Sequence, residues 1–230
     1  MLIVLPPSET KAPGGAGGPI TVSFPQLDPV RETLMGQLAA SDVDTLMTEL
    51  KIPAGKRAEA EENLTLQSAP VMPAIERYTG VLYDALDAPS LPAAARQRLA
   101  VGSALFGLVL ANDHVPRYRL SAGSKLGGRT MRAWWGPRVT EVLQAEDFVV
   151  DLRSGAYQQL GPVPSAVTVR VEQADTGKVV SHFNKRYKGE LARTLAFATT
   201  PPSSVDDVAD AARAGSLNVL VDGNEVTLKV

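Results

Sequence analysis

The sequence predicts an α+β fold in which several helices pack on a mixed β-sheet. The fully apolar run Leu2–Leu5, stopped by two prolines, is typical of a strand buried on both faces. Valines at 167, 169 and 171 alternate with polar residues, which indicates a half-buried strand. Apolar residues spaced three and four apart over 183–198 indicate an amphipathic helix. Strand and helix patterns therefore share one chain.

The remaining elements follow from local signals along the chain. We predict a flexible loop over 11–19, helices over 28–50, 56–64, 73–86, 92–99 and 129–144, a polar loop over 111–128, strands over 101–110 and 148–152, and a hairpin partner over 178–182. Ser41 is the expected N-cap of the helix that ends at Leu50. Ser204 and Asp207 predict a capping box, and a C-terminal hairpin turns at Asp222-Gly223. Without a repeat or a linker, we predict one domain over residues 1–230.

Composition excludes several classes of protein. With no cysteine and two histidines, the chain has no disulfide scaffold, cysteine nucleophile or thiolate metal site, and we predict no metal site and no cofactor. The N-terminus does not resemble a signal peptide, and no run approaches the roughly 20 apolar residues of a membrane span. We therefore expect a cytoplasmic protein without membrane contact. Although the net charge is −2, residues 101–200 carry 13 basic and 8 acidic groups, so an anion site should draw on that segment.

The predicted helix over 183–198 carries the densest set of cations. Arg186 and Arg193 are seven residues apart and so lie about 20° from each other around the helix. Gly189 between them would let a ligand approach the backbone, and Lys185 and Lys188 flank the stripe. This pattern indicates either an anion clamp or the solvated face of an amphipathic helix.

The loop 113–119 places an acid, two arginines and a tyrosine close together. Arg117 and Arg119 with Tyr118 between them could bind a phosphate and stack on a ring. Asp113 is either a catalytic acid or the internal partner of an arginine.

Polar residues directly follow two predicted strands, where binding crevices of α/β sheets form. Ser8 and Lys11 follow the first strand, and Lys11 is a candidate anion ligand or reactive lysine. Asp151 and Arg153 follow a second strand in the same way. Two such loops strengthen the prediction of a crevice.

A basic turn joins two helical segments within residues 41–64. Its residues 52–58 resemble the hairpin of a helix-hairpin-helix module, in which turn amides hold a DNA phosphate beside Lys56 and Arg57. Three glutamates follow at once and the second hairpin glycine is absent, so an ordinary packing corner is the alternative.

Taken together, these segments resemble the peroxide-stress response protein YaaA family. The resemblance is carried in family order by residues 5–11, 78–83, 103–107, 116–120, 134–136, 151–157 and 185–193. It implies a family-specific α+β fold with a positively lined cleft. It also implies a role in limiting peroxide damage, through DNA binding and lower reactive iron.

Two functional hypotheses remain open. In the first, a protein without catalytic activity binds double-stranded DNA through phosphate contacts of the basic residues; its residues would be Lys56, Arg57, Arg117, Arg119, Lys185, Arg186, Lys188 and Arg193. In the second, an enzyme binds a small anionic metabolite in the same cleft. Its catalytic candidates are Lys11, Asp113, Asp151 and Lys185, with Arg119 holding the anion.

Overall fold

The computed structural model describes residues 1–178 and 184–230. Its strands are β1 (Leu2–Leu5), β2 (Val71–Pro73), β3 (Leu99–Ser103), β4 (Gly107–Leu110), β5 (His114–Pro116), β6 (Lys125–Leu126), β7 (Arg129–Thr130), β8 (Val149–Asp151), β9 (Val167–Glu172), β10 (Val219–Asp222) and β11 (Glu225–Lys229). Its α-helices are α1 (Asp28–Ala40), α2 (Val43–Glu49), α3 (Arg57–Glu62), α4 (Ala74–Arg77), α5 (Val81–Leu86), α6 (Ala93–Arg96), α7 (Met131–Trp135), α8 (Arg138–Gln144), α9 (Gly155–Gln158), α10 (Asn184–Phe197) and α11 (Val205–Ala214). None of these helices is long and apolar enough to cross a bilayer.

A mixed sheet of seven strands forms the centre of the described structure. The strand order is β10-β11-β9-β8-β1-β3-β4, and the five strands from β11 to β3 run parallel. The two outer strands, β10 and β4, pair antiparallel through hairpins. The predicted mixed sheet, with a buried N-terminal strand and a C-terminal hairpin, is confirmed.

The strand order places a crevice at the carboxyl ends of β1 and β8. Numbered along the chain, the five parallel strands lie in the order 2-1-3-4-5. In such sheets the order reverses beside the first strand, and ligands bind where it reverses. Val4 of β1 pairs with Asp151 of β8 and with Ala100 of β3, so the loops that follow these three strands leave the same edge.

Several local predictions are confirmed. All four residues of Leu2–Leu5 are buried, as expected for a strand inside a parallel sheet. Inward and outward residues alternate along β9. Ser204 accepts from the Asp207 amide and Asp207 accepts from the Ser204 amide, which completes the capping box at the start of α11.

Two predicted helices are each broken in two. The helix expected over 73–86 is β2 followed by α4 and α5, because Tyr78 is extended and Gly80 has a φ of 100°. The helix expected over 129–144 is α7 and α8, separated where Gly136 has a φ of 54° and Pro137 follows. In both cases a glycine with positive φ lies in the break, before α5 at Gly80 and after α7 at Gly136.

Smaller corrections concern caps and loops. Asp42 rather than Ser41 caps α2, and its carboxylate accepts from the Thr45 amide. The segment 92–99 contains only one helical turn, and the loop 111–128 contains β5 and β6. The helix–turn–helix over 41–64 is α2, a 3₁₀ turn and α3. The hairpin partner expected over 178–182 lies, apart from its first residue, outside the described residues.

Candidate functional site

The loop after β1 is tied to the break between α4 and α5. Ser8 Oγ accepts a hydrogen bond from the Thr79 amide at 3.0 Å, and Lys11 forms a β-bridge with Tyr78. The Tyr83 hydroxyl donates to the Pro6 carbonyl oxygen at 2.8 Å. The extended backbone at Tyr78 therefore holds Lys11 beside the carboxyl end of β1.

The side chain of Lys11 is buried between two tyrosine rings. Only 7% of the residue is exposed, and Nζ lies 4.3 Å from the ring centre of Tyr118 and 5.4 Å from that of Tyr78. Its Nζ donates to the Ser8 carbonyl oxygen at 3.1 Å. Within the described residues no carboxylate lies within 4.0 Å of it.

Burial and neighbouring cations favour the neutral amine of Lys11. Burial is the largest cause and the Arg119 charge the next, and together they lower the pKa of Lys11 from 10.5 to about 7. Arg117 acts in the same direction, while Glu59 and Glu9 oppose it. A lysine in this state can accept a proton or attack an electrophile near neutral pH.

Three buried hydroxyl groups form a chain beside Lys11. The Tyr118 hydroxyl lies 2.8 Å from that of Tyr78 and 2.7 Å from Ser103 Oγ, which also accepts from the Phe106 amide. Burial raises the pKa of both tyrosines above its usual value, so they remain protonated. Such a chain can donate a hydrogen bond or relay a proton.

Two glutamates of α3 and one from the loop after β1 are the acidic partners of the two loop arginines. Arg117 pairs with Glu62 at 3.1 Å, and Arg119 lies 3.6 Å from Glu59 and 3.7 Å from Glu9. The glutamates after Arg57 thus hold the arginines, and the loop arginines do not form a bare basic surface.

Asn63 fixes the backbone that carries these arginines. It exchanges two hydrogen bonds of 2.8 Å with the amide and carbonyl of Arg119. The position of the Arg119 side chain beside Lys11 therefore depends on the segment that follows α3.

The residues after β8 form a buried ionic unit next to this cluster. Arg153 binds both oxygens of Asp151 at 2.8 Å and donates to the Gly161 carbonyl oxygen at 2.7 Å. Gly102 leaves room for it, because a Cβ there would lie 2.7 Å from the Arg153 Cδ. Both side chains already have hydrogen-bond partners within the chain, so their contacts stabilise the ends of the strands.

Lys188 of α10 reaches the same sheet edge. It is 8% exposed, and its Nζ donates to the Leu152 carbonyl oxygen at 3.1 Å. Burial lowers its pKa to about 8, against the opposing charge of Asp151. The structure thus brings Lys188 to the strand ends and away from the outer face of α10.

The other cations of α10 are directed elsewhere. Lys185 is exposed, and Arg186 is exposed and pairs with Glu190 at 2.8 Å. Arg193 donates to the Leu86 carbonyl oxygen at 2.9 Å and to Ser90 Oγ at 2.7 Å. The three residues do not converge on the Lys11 cluster.

Gly189 serves helix packing, which corrects the expectation of a ligand approach. A Cβ at this position would lie 2.3 Å from the Leu82 carbonyl oxygen and 2.9 Å from the Ala85 Cβ. The missing side chain lets α10 lie directly against α5.

Asp113, Lys56 and Arg57 lie outside the Lys11 cluster. The Asp113 carboxylate accepts from the amide and hydroxyl of Ser23 and from the Leu110 amide, each at 2.8 Å. Lys56 pairs with Glu59 at 3.4 Å. Arg57 is half-exposed and pairs with Asp44 and Glu61.

Sequence reasoning missed residues that complete the cluster. Tyr78, Ser103, Glu59, Asn63 and Tyr157 were not predicted as site residues, although three of them lie in the segments that carried the family resemblance. Tyr157 is half-buried, and burial raises its pKa, on which Tyr78 and the Glu9 and Arg119 charges also act. Gly80 was a local signal that could have placed a break next to Tyr78, but the predicted helix over 73–86 ran across it.

A cavity of about 440 Å³ adjoins the cluster on the side of α5. It shares Tyr78 and Thr79 with the cluster, and Asp84 and the Arg96–Glu76 ion pair also line it. This volume falls in the range of small-molecule sites.

The fold and the cluster define the class: a mixed α/β protein with a buried lysine at the carboxyl end of its first strand. A family model described as peroxide stress protein YaaA matches residues 1–215. The chain belongs to the peroxide stress protein YaaA family, which confirms the resemblance found in the sequence.

Similar curated proteins cover nearly the whole chain. A UPF0246 protein of Corynebacterium efficiens is 53% identical, over 99% of this chain and 98% of its own length. A UPF0246 protein of Streptomyces coelicolor is 42% identical, over 93% and 89%. An uncharacterized protein of Campylobacter jejuni is 29% identical, over 83% and 82%.

Proposed function

We propose that this chain works in the cytoplasm and limits iron and peroxide damage by acting on a small anionic metabolite bound beside Lys11. The observation that carries the proposal is a buried lysine that, among the described residues, has no carboxylate in ion-pair range. Placing an amine there costs stability, and such a cost is typical of functional sites. Lys11 would exchange the proton, and Arg119 would hold the anion.

The charge around Lys11 supports an anionic ligand. Arg119 is 16% exposed in its side chain and is held at long distances of 3.6 and 3.7 Å by Glu59 and Glu9. Glu9 is 76% exposed, so a bound carboxylate or phosphate can replace it at small cost. Bidentate binding by arginine is favourable for both kinds of anion.

Duplex DNA binding is the second candidate, and a different observation favours it. The turn between α2 and α3 presents Lys56 and Arg57 with side chains 43% and 50% exposed. Both cations already have acidic partners, so a DNA phosphate would have to displace Glu59, Asp44 or Glu61. We rank this candidate second because neither Lys56 nor Arg57 is buried without a carboxylate in ion-pair range, as Lys11 is among the described residues.

Two binding measurements on the full chain test the proposal. Isothermal titration with a panel of small carboxylates and phosphates should show binding that Lys11→Met or Arg119→Gln weakens, while Lys185→Met, at an exposed position, leaves it unchanged. Absence of binding to the whole panel by the folded wild type would overturn the metabolite proposal. Fluorescence anisotropy with duplex DNA over a salt series, with Lys56→Ala/Arg57→Ala as the variant, measures the DNA alternative.

A further inference from the structure

The amine of Lys11 has the surroundings of a nucleophile. Its stem is enclosed by the rings of Tyr78 and Tyr118, and one hydrogen bond to the Ser8 carbonyl oxygen orients Nζ. A lysine used only as a cation would be expected to pair with a carboxylate. Lys11 Nζ instead lies against two rings, and the effect of Arg119 on its pKa exceeds that of Glu59 or Glu9. Desolvation and a neighbouring cation are the two ways in which proteins activate lysine amines.

We propose that Lys11 Nζ forms an imine with the carbonyl carbon of an α-oxo acid whose carboxylate is held by Arg119. This inference rests on the proposed function and names its substrate class. An α-oxo acid carries its carbonyl carbon one bond from its carboxylate, so an amine and a guanidinium close together fit both groups at once. Lys11 Nζ lies 4.3 Å from the ring centre of Tyr118, the residue that precedes Arg119, and of the neighbouring charges Arg119 has the largest effect on the pKa of Lys11.

Burial and the arginine charges around Lys11 favour the free amine at neutral pH, against the charges of Glu59 and Glu9. Arg119 and Arg117 come from the loop after β5, Glu59 from α3 and Glu9 from the loop after β1, while Tyr78 and Tyr118 cover the stem. With burial they bring the pKa of Lys11 to about 7. Near that pH the free-amine fraction of Lys11 is roughly a thousandfold larger than that of a lysine with the ordinary value.

The reaction balances without an added oxidant or reductant. The lone pair of Nζ forms the C–N bond while the carbonyl π electrons move to oxygen, and a proton passes from nitrogen to that oxygen to give a carbinolamine. Loss of water then leaves the imine. Tyr78 and Tyr118, whose rings lie against Nζ, carry the protonated hydroxyl groups that would supply the proton to the departing oxygen.

Reductive trapping on the full-length protein tests the inference. The protein is incubated with pyruvate or glyoxylate and sodium borohydride, which delivers hydride to the C=N bond and makes the adduct permanent. Intact-mass spectrometry should show a single adduct, and peptide mapping should place it on Lys11. The yield should rise with pH to a plateau above about 7, following deprotonation of the amine.

Matched variants keep the result interpretable. Lys11→Met keeps an unbranched side chain beside the two tyrosine rings and removes the amine, and should abolish the adduct while the circular dichroism spectrum stays that of the wild type. Lys229→Arg alters a partly buried lysine that pairs with Glu172 far from this cluster along the sheet, and should leave the yield unchanged. Acetone has the carbonyl group without the carboxylate, and should trap at least tenfold less.

The outcomes separate this inference from the proposed function. Metabolite binding that needs Lys11 but gives no trapped adduct would overturn the imine and leave the binding proposal standing. An adduct spread over exposed lysines, or placed on Lys188, would also overturn it. Failure of both the titration and the trapping would overturn the two together.

Discussion

Cations are concentrated in two regions, the carboxyl ends of β1 and β8 and the outer face of α10. The two regions differ in how deeply these cations are buried. At the strand ends, Lys11, Arg153 and Lys188 are at least nine-tenths buried. On the outer face, Lys185 and Arg186 are exposed, and Arg186 pairs with a glutamate one turn away. Both sets look alike as runs of basic residues, and burial is what separates them.

The comparison shows where a charged side chain costs stability, and such a place is where a functional site is expected. An exposed cation with a neighbouring carboxylate is stable wherever it stands, and contributes little. A buried cation requires a partner or a lowered pKa. Arg153 has a partner, whereas Lys11 and Lys188 have lowered pKa values, and of these two Lys11 has the lower pKa.

The largest expected effect is on the buried ion pair at the end of β8. Asp151→Ala leaves the Arg153 guanidinium, 1% exposed, without its carboxylate, and should lower the free energy of unfolding by about 3–5 kcal/mol. Urea denaturation followed by circular dichroism measures it. Asp210→Ala, which removes the partner of the exposed Arg213, is the matched control and should cost no more than about 1 kcal/mol. Equal losses of unfolding free energy in the two variants would show that buried and exposed cations do not differ in their contribution to stability.

The next effect concerns the contact that joins α10 to the site. Gly189→Ala places a Cβ against the Leu82 carbonyl oxygen and should destabilise the fold by about 1–3 kcal/mol, because α5 and α10 must separate. Gly36→Ala in α1 meets nothing within 4 Å and should be neutral or stabilise by about 0.5–1 kcal/mol. A folded Gly189→Ala protein with unchanged stability but weaker ligand binding would instead favour a ligand at the α10 backbone.

Much of the sheet could be predicted from the sequence because its signals are local. The apolar run of β1, the alternation of β9 and the turn between β10 and β11 each fix a strand without reference to the rest of the chain. The parallel order could not be predicted, since it depends on pairings between residues far apart, such as Val4 with Asp151. The breaks at Gly80 and Gly136 were missed because the flanking apolar spacing continues across them.

The candidate site was predictable only in part for a related reason. Lys11 and Arg119 were selected by their residue type and their place after a strand or in a basic loop. Glu59 and Asn63 belong to the segment where the sequence indicated a DNA hairpin or a packing corner, and only the tertiary structure brings them to Arg119. Tyr78 and Ser103 contribute through hydroxyl groups whose pairing with Tyr118 crosses three separate segments.

The pH dependence of stability tests the state of Lys11. The folded-state pKa of about 7 lies below the ordinary 10.5, so between these values the unfolded chain holds a proton that the folded chain has lost. The wild type should therefore gain about 1.4 kcal/mol per pH unit relative to Lys11→Met over this window, with a constant difference below it. Urea midpoints measured across the window, with Lys185→Met as a control for the rest of the chain, give the slope. A flat difference would show that Lys11 keeps its proton in the folded state.

The smallest expected effect is a difference in stability between variants of Arg193 and Arg186, the two arginines of the anion clamp considered for α10. Arg193→Ala removes hydrogen bonds to the Leu86 carbonyl oxygen and Ser90 Oγ, and should lower the free energy of unfolding by about 1 kcal/mol, since its side chain is one-third exposed. Arg186→Ala removes an exposed ion pair within one helix and should leave the urea midpoint unchanged. Because the two residues lie on the same helix, a difference between them reports their contacts rather than helix propensity. Equal losses of unfolding free energy would mean that exposed cations of α10 contribute to stability as the buried cations do. Burial would then no longer distinguish the two regions.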